Sequence, residues 1–287
     1  MDLISTDWRA DAEHILPDLI DLRRAIHAEP ELGLQNPKTL AKIKAALAGL
    51  PLELREGPST TGLIAILKRP ANGRTVLLRG DMDALPLHED TGLEYSSLTD
   101  GAMHACGHDT HVAMLVGAAK MLSDKRDQLA GTVQFMFQPG EEGHHGARFM
   151  LDDGLIDPLP DAAFALHIMP NAPRGVLSGR SGPLLASSDV LTITVKGAGG
   201  HASMPHDAID PIPVACEIVS AIQTMVTRKI SVFNPAVITI AKISAGTTNN
   251  IIPESAHLLG TIRTLSPQSR AQVAEELRRL VPGIATA

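Results

Sequence analysis

Only two cysteines, Cys106 and Cys216, occur in a chain of 287 residues. They lie far apart in sequence, which excludes a disulfide framework and leaves each to be explained by itself. Aromatic side chains are almost as scarce, at 2%, so a site that stacks sugars or bases on rings is disfavoured. Positive charge is in deficit as well. The formal net charge is −7, whereas a nucleic-acid partner needs a basic face to displace counterions. No apolar run is long enough to cross a bilayer. The first residues, MDLISTDWRADAEH, carry acids where a signal peptide needs a basic and then an apolar stretch. These absences predict a cytoplasmic protein with neither a nucleic-acid nor a membrane partner.

What is present is enough apolar residue, 44% of the chain, to build a sizeable core. The length suggests about two domains, or one large α/β domain. Residues 8–27 have leucine and isoleucine at helical spacing, with Pro17 predicting a bend or a late start. A second helix is expected from Asn36-Pro37, with Asn36 as cap, to near Gly49. Short apolar runs follow at 63–67, 75–78, 132–137 and 162–166, with a very apolar helix at about 110–122. Such runs between buried helices predict an α/β domain with a mostly parallel, covered sheet in three layers. The character changes near Gly182. Residues 190–195 alternate like a strand with one exposed face, a helix is expected at about 213–227, strands at 237–243 and 256–263, and a helix after the Ser266-Pro267 cap. That order fits an α+β split-βαβ unit, which calls for one more strand than the chain supplies. The expected division is 1–185 and 186–287.

Polar residues fall at the strand ends. The run at 75–78 leads into RGDMDALP, that at 132–137 into QPGEEGHHGA, and that at 162–166 into His167, while HACGHDTH opens the apolar helix. The C-terminal edge of an open α/β sheet is where sites form. Side by side, these elements would gather Asp81, Asp83, Cys106, His108, Glu141, Glu142 and His167 in one cleft. So many acids repel one another without a cation. Thiolate and imidazole suit zinc, and carboxylates also suit manganese or cobalt. Two metals in one cleft activate water and polarise a carbonyl. Plainer readings stand beside this one. Cys106 alone would be core packing, Asp81 and Asp83 turn caps, the Glu141-Glu142 pair a solvated loop, and His167 an unremarkable loop residue. His104, His111 and His145 suit local hydrogen bonds around a site; His88, His144 and His206 read as surface histidines.

Taken in order, HAEPELG, RGDMDALP, MHACGHDTH, QPGEEG, LHIMP, GGHASMPH and NNIIPESAHLLGTIRT resemble the aminoacylase/hippurate hydrolase group of dinuclear metallopeptidases. N-acetyl-diaminopimelate deacetylases and auxin-conjugate hydrolases belong to that group. The resemblance implies hydrolysis of the amide bond of a small N-acyl amino acid. It implies a catalytic domain with an inserted lid domain that makes a homodimer. It implies two divalent ions, zinc or manganese before cobalt or nickel, on Cys106, His108, Glu142 and His167. Glu141 would be the general base that activates the bridging water, and Asp83 the acid that orients a ligand. His201 would reach the partner subunit's site, and Asn250 and Arg263 would hold the substrate, the guanidinium fork suiting a carboxylate. Asp81 stands where dipeptidases and carboxypeptidases of the superfamily carry histidine, which makes that activity the weaker expectation. The group's pattern continues past the lid to a last ligand histidine that is not in this sequence. The expectation is a fragment of a longer protein, against a natural truncation left as a non-catalytic metal-binding or dimerising remnant, or completion by another chain.

Overall fold

The computed structural model describes residues 8–68 and 73–287. The chain divides after Pro173 into two compact units, where the sequence suggested 185/186. In the first, two helices, α1 (Trp8–His27) and α2 (Pro37–Leu47), precede strands β1 (Glu53–Glu56), β2 (Leu63–Leu67) and β3 (Thr75–Asp81). Helix α3 (His108–Asp124), β4 (Thr132–Gln138), helix α4 (Gly146–Asp152) and β5 (Ala162–Ala165) complete it. The strands form one sheet in the order β1-β2-β4-β3-β5. β3 pairs in parallel with both β4 and β5, and β2 is antiparallel to β1 and β4. Four strands thus run one way and β2 runs against them.

All five residues of β2 are buried, which explains its unbroken apolar sequence. Leu63, Ala65 and Leu67 join Phe135 and Phe137 under the α1–α3 layer with Ile26, Ile43, Val112 and Val116. Ile64 and Ile66 point the other way, with Met136, toward Met150 of α4. Burying side chains on both faces of a strand removes the alternation that a half-exposed strand would show.

Three local expectations are corrected. Helix α1 runs unbroken through Pro17 because the ring lies on an exposed side, where water can satisfy the carbonyl it leaves unpaired. Asn36 makes no side-chain cap hydrogen bond to α2. The Glu31 carboxylate takes that place, accepting from the backbone N–H of Lys38 at 3.1 Å and Thr39 at 2.9 Å; an anion suits the positive end of the helix better than an amide does. Finally, β5 is exposed throughout. It pairs only with β3 among the described residues, so its apolar run signalled a sheet member but not a covered one.

The second unit contains β6 (Asp189–Lys196), β7 (Gly200–His201), α5 (Pro211–Lys229), β8 (Ala236–Ala245), β9 (Ile251–Ile252), β10 (Ser255–Thr264) and α6 (Pro267–Thr286). An antiparallel sheet of order β6-β10-β8 packs Ile193, Val195, Ile238, Leu258 and Ile262 against Ile218, Ile222, Val273 and Leu277 of the two helices. Asp210 caps α5 through the Ile212 N–H, and Ser266 caps α6 through the Ser269 N–H. β7 and β9 form a separate two-residue ladder, with Gly200 opposite Ile252 and His201 opposite Ile251.

Candidate metal centre

Parallel pairing of β3 with β4 and β5 brings three C-terminal strand ends together. Asp81 closes β3, and Asp83 follows two residues later. Glu141 and Glu142 come three and four residues after Gln138 ends β4. His167 comes two after Ala165 ends β5. His108 enters from the first turn of α3, after Gly107, whose φ of 86° is left-handed. The structure therefore gathers the seven residues that the sequence placed in one cleft. Three sets of side chains there could hold a metal: Cys106-His108-His167, Asp81-His108-His111 and His108-Glu141-Glu142, each with its ligand atoms within 4.8 Å of one another. His108 is common to all three.

The hydrogen bonds decide which lone pairs are available. His108 Nδ1 lies 2.8 Å from the backbone carbonyl of Asp83, so Nδ1 carries the proton and Nε2 the lone pair. That Nε2 is buried without a hydrogen-bond partner among the described residues. It lies 3.5 Å from Asp81 Oδ2, 3.9 Å from Glu142 Oε1 and 4.0 Å from Glu141 Oε2. His167 repeats the pattern: its Nδ1 sits 2.7 Å from the Ile168 carbonyl, leaving Nε2 3.3 Å from Cys106 Sγ. His111 is different. Its Nε2 accepts the Ile168 N–H at 3.0 Å, so Nδ1 must donate to Asp81 Oδ1 at 2.6 Å. Both of its nitrogens are engaged, and the ring positions Asp81 and the segment beside His167 rather than offering a lone pair.

Asp83 has a task that the sequence did not reveal. Its two carboxylate oxygens accept from the backbone N–H of Glu141 at 2.9 Å and of Glu142 at 3.0 Å. Buried at 1% exposure, it fixes the loop that presents both glutamates. Its carboxylate also lies 3.4 Å from His108 Nδ1, so main chain and side chain of this residue both face the same imidazole.

The electrostatics ask for positive charge. Burial opposes a charged His108, yet hydrogen bonding to Asp83 and Cys106 and the charge of Asp81 outweigh it and raise its pKa to about 10. Asp81 resists the upward push of burial through His111, His108 and the Arg79 guanidinium 2.6 Å away, and falls to about 2. Glu141 moves the other way, raised by burial and by the charges of Glu142 and Asp81. A buried, unpartnered imidazole nitrogen among acids that would otherwise pull a proton onto it suits a divalent cation. The donor set, with thiol, imidazoles and carboxylates, fits one or more such ions.

One network behind the cluster had no signal in the sequence. His27 Nδ1 lies 2.7 Å from Asp109 Oδ2, which also pairs with Arg23 Nε at 2.7 Å, and His27 Nε2 lies 3.2 Å from Glu89. The partners come from three separate segments. Of the residues predicted in the second unit, His201 and Asn250 line one cavity of about 420 Å³ beside the β7–β9 ladder. Arg263 lies on β10 opposite Val237, exposed, and does not line that cavity.

Known proteins carry the same arrangement of sequence. The chain is 43% identical over 268 residues, 93% of its length and 70% of the relative's, to the N-acetylcysteine deacetylase of Bacillus subtilis. It is 40% identical over 287 residues, 99% of its length and 72% of the relative's, to thermostable carboxypeptidase 1 of Saccharolobus solfataricus. A solved Bacillus subtilis structure, described as a dinuclear metal binding peptidase from the M20 family, superposes with a TM-score of 0.78 at 38% identity, covering 97% of this chain and 71% of that one. The description Peptidase family M20/M25/M40 matches residues 77–274, a span that takes in every residue of the cluster as well as His201, Asn250 and Arg263. On the strength of that span, the chain belongs to Peptidase family M20/M25/M40.

Proposed function

We propose that the protein is a metal-dependent amidohydrolase that removes a small acyl group, acetyl before benzoyl, from an N-acyl amino acid. The observation that carries this reading is His108 Nε2, buried and unpartnered at the meeting point of three ligand sets. Cys106, His108, Glu142 and His167 would hold two divalent ions, manganese or zinc. Bound there, the ions supply Lewis acidity toward the amide carbonyl and acidify water. Glu141 takes a proton from the attacking water and returns it to the leaving amine. Burial and the charges of Glu142 and Asp81 hold its carboxyl above the ordinary carboxylate value, the direction that suits a group that must both accept and release a proton. Asp83 keeps Glu141 and Glu142 in register by holding their backbone N–H groups. His201 from a second copy of the chain donates to the developing oxyanion, and Asn250 and Arg263 bind the amino-acid end of the substrate.

The deacetylase relative favours an acetyl group over the benzoyl group of hippurate. The carboxypeptidase relative supports a second reading, in which the scissile amide is the last peptide bond of a short peptide. Purified chain, stripped and reloaded with manganese or zinc, separates them when given N-acetyl-L-cysteine, hippurate and a blocked dipeptide with a free carboxylate. We expect the highest kcat/KM on the N-acetyl amino acid. Faster cleavage of the dipeptide would favour the carboxypeptidase, and bound metal with no turnover on any of them would mark a non-catalytic remnant.

A further inference from the structure

We propose that Ser203 is a positioning residue that holds His201 as its neutral Nε2–H tautomer. The inference rests on the proposed role of His201 and adds to it the group that sets the ring's polarity. His201 is the last residue of β7 and is tied by the two-residue ladder to Ile251. The chain then turns. Ala202 N–H donates to the Asn250 carbonyl at 3.0 Å, and Met204 N–H to the His201 carbonyl at 2.8 Å. The turn is tight enough that a Cβ on Gly200 would lie 2.8 Å from the Ala208 Cβ.

This turn folds Ser203 back over the imidazole. Its backbone nitrogen lies 3.2 Å from His201 Nδ1, and its hydroxyl oxygen 2.7 Å from the same atom. A backbone N–H can only donate, so Nδ1 is the acceptor and carries no proton. The hydroxyl must then donate to it as well. The proton of the neutral ring is left on Nε2, where it can serve as a hydrogen-bond donor. Next to it, Asn250 Oδ1 accepts from the Thr248 hydroxyl at 3.1 Å, which leaves the amide nitrogen of Asn250 to donate. Both residues line the same cavity. Two N–H donors set in advance are what a developing oxyanion or a carboxylate requires. Ring and hydroxyl are exposed, so hydrogen bonding rather than packing fixes the tautomer.

The test uses the full metal-loaded chain with N-acetyl-L-cysteine as substrate, together with ring 15N NMR, which needs no turnover. Ser203→Ala is expected to lower kcat about ten-fold with little change in KM, the scale of one lost hydrogen bond at the transition state. Ser203→Thr, which keeps the hydroxyl, is expected to restore it. The His201 Nδ1 resonance should be that of an unprotonated, hydrogen-bonded nitrogen in the wild type and move toward an unbonded one in Ser203→Ala. A protonated Nδ1 in the wild type, or a resonance that does not move, overturns the inference. Full kcat in Ser203→Ala while His201→Ala is inactive overturns it and spares the role of His201. Full kcat in His201→Ala overturns both.

Discussion

Asp83 is the side chain whose loss should be felt in two places. Its carboxylate serves the two backbone N–H groups that carry Glu141 and Glu142. Asn in its place keeps one acceptor and turns an N–H₂ toward the second backbone donor. Charge-assisted hydrogen bonds are among the strong ones, and a buried donor left unmet adds its own penalty. Asp83→Asn should therefore cost about 2–4 kcal/mol of unfolding free energy, measured from denaturant midpoints, and should weaken metal binding in a calorimetric titration. The pair of His27 and Asp109 makes a prediction in pH. His27 is raised above its ordinary 6.5, chiefly by its hydrogen bond to Asp109 and against the effect of burial. Its contribution is therefore complete below pH 6.5 and lost as the pH rises through the higher folded value. Asp109 is lowered despite burial by His27, His104 and Arg23, so its share is present above its unfolded pKa and lost as the pH falls through the folded one. Thermal midpoints of the wild type should decline on the alkaline side of pH 6.5, and His27→Gln should flatten that decline. Parallel curves for the two proteins would contradict the assignment.

Among the elements, the join between α3 and the segment after β5 is the most exposed to a single change. Gly107 has φ 86°, and a Cβ there would lie 2.2 Å from Ile168 Cδ1. Gly107→Ala has both a strained backbone and a steric conflict, worth about 1–3 kcal/mol. It sits between Cys106 and His108 and pushes on the neighbour of His167. It should therefore lower metal affinity together with stability, as a metal titration beside a thermal melt would reveal. How far such elements can be read from sequence depends on how they are buried. β2 and β4 are legible because both faces are covered. Strand β1, with the sequence ELRE, lies at the sheet edge and is mostly exposed, so its charged residues give no strand signal. Helix α4 is only seven residues long, too short for a helical period. The β7–β9 ladder has two residues per strand and no period at all, so His201 was legible only as part of GGHASMPH, and the contact of Ser203 with its ring was not legible. The strand-end acids were legible because the covered strands were. The tautomers of His108 and His111 were not, because their partners, the Asp83 carbonyl, the Asp81 carboxylate and the Ile168 N–H, are brought near only by the fold; that of His167 turns on a contact with its own neighbour, the Ile168 carbonyl, which no spacing announces.

At the scale of the whole molecule, the chain spans about 70% of the length of the deacetylase it resembles and 72% of the carboxypeptidase. Its two units have separate cores. Ions held by Cys106, His108, Glu142 and His167, as proposed, would bind the folded first unit, so removing them should lower that unit's thermal midpoint and restoring them should raise it, with the shift growing as metal exceeds its dissociation constant. In the proposed reaction the metals and Glu141 divide the work, the ions being held by one set of side chains and the proton moved by another. One paired measurement reaches it, namely metal equivalents per chain by elemental analysis and kcat for N-acetyl-L-cysteine, in the wild type and in Glu141→Gln. That division predicts equal metal content, with turnover in the wild type and a loss of about a thousand-fold or more in the variant, in line with a general base working on an activated water. A Glu141→Gln protein that keeps its turnover, or a wild type that hydrolyses the substrate without metal, would contradict it.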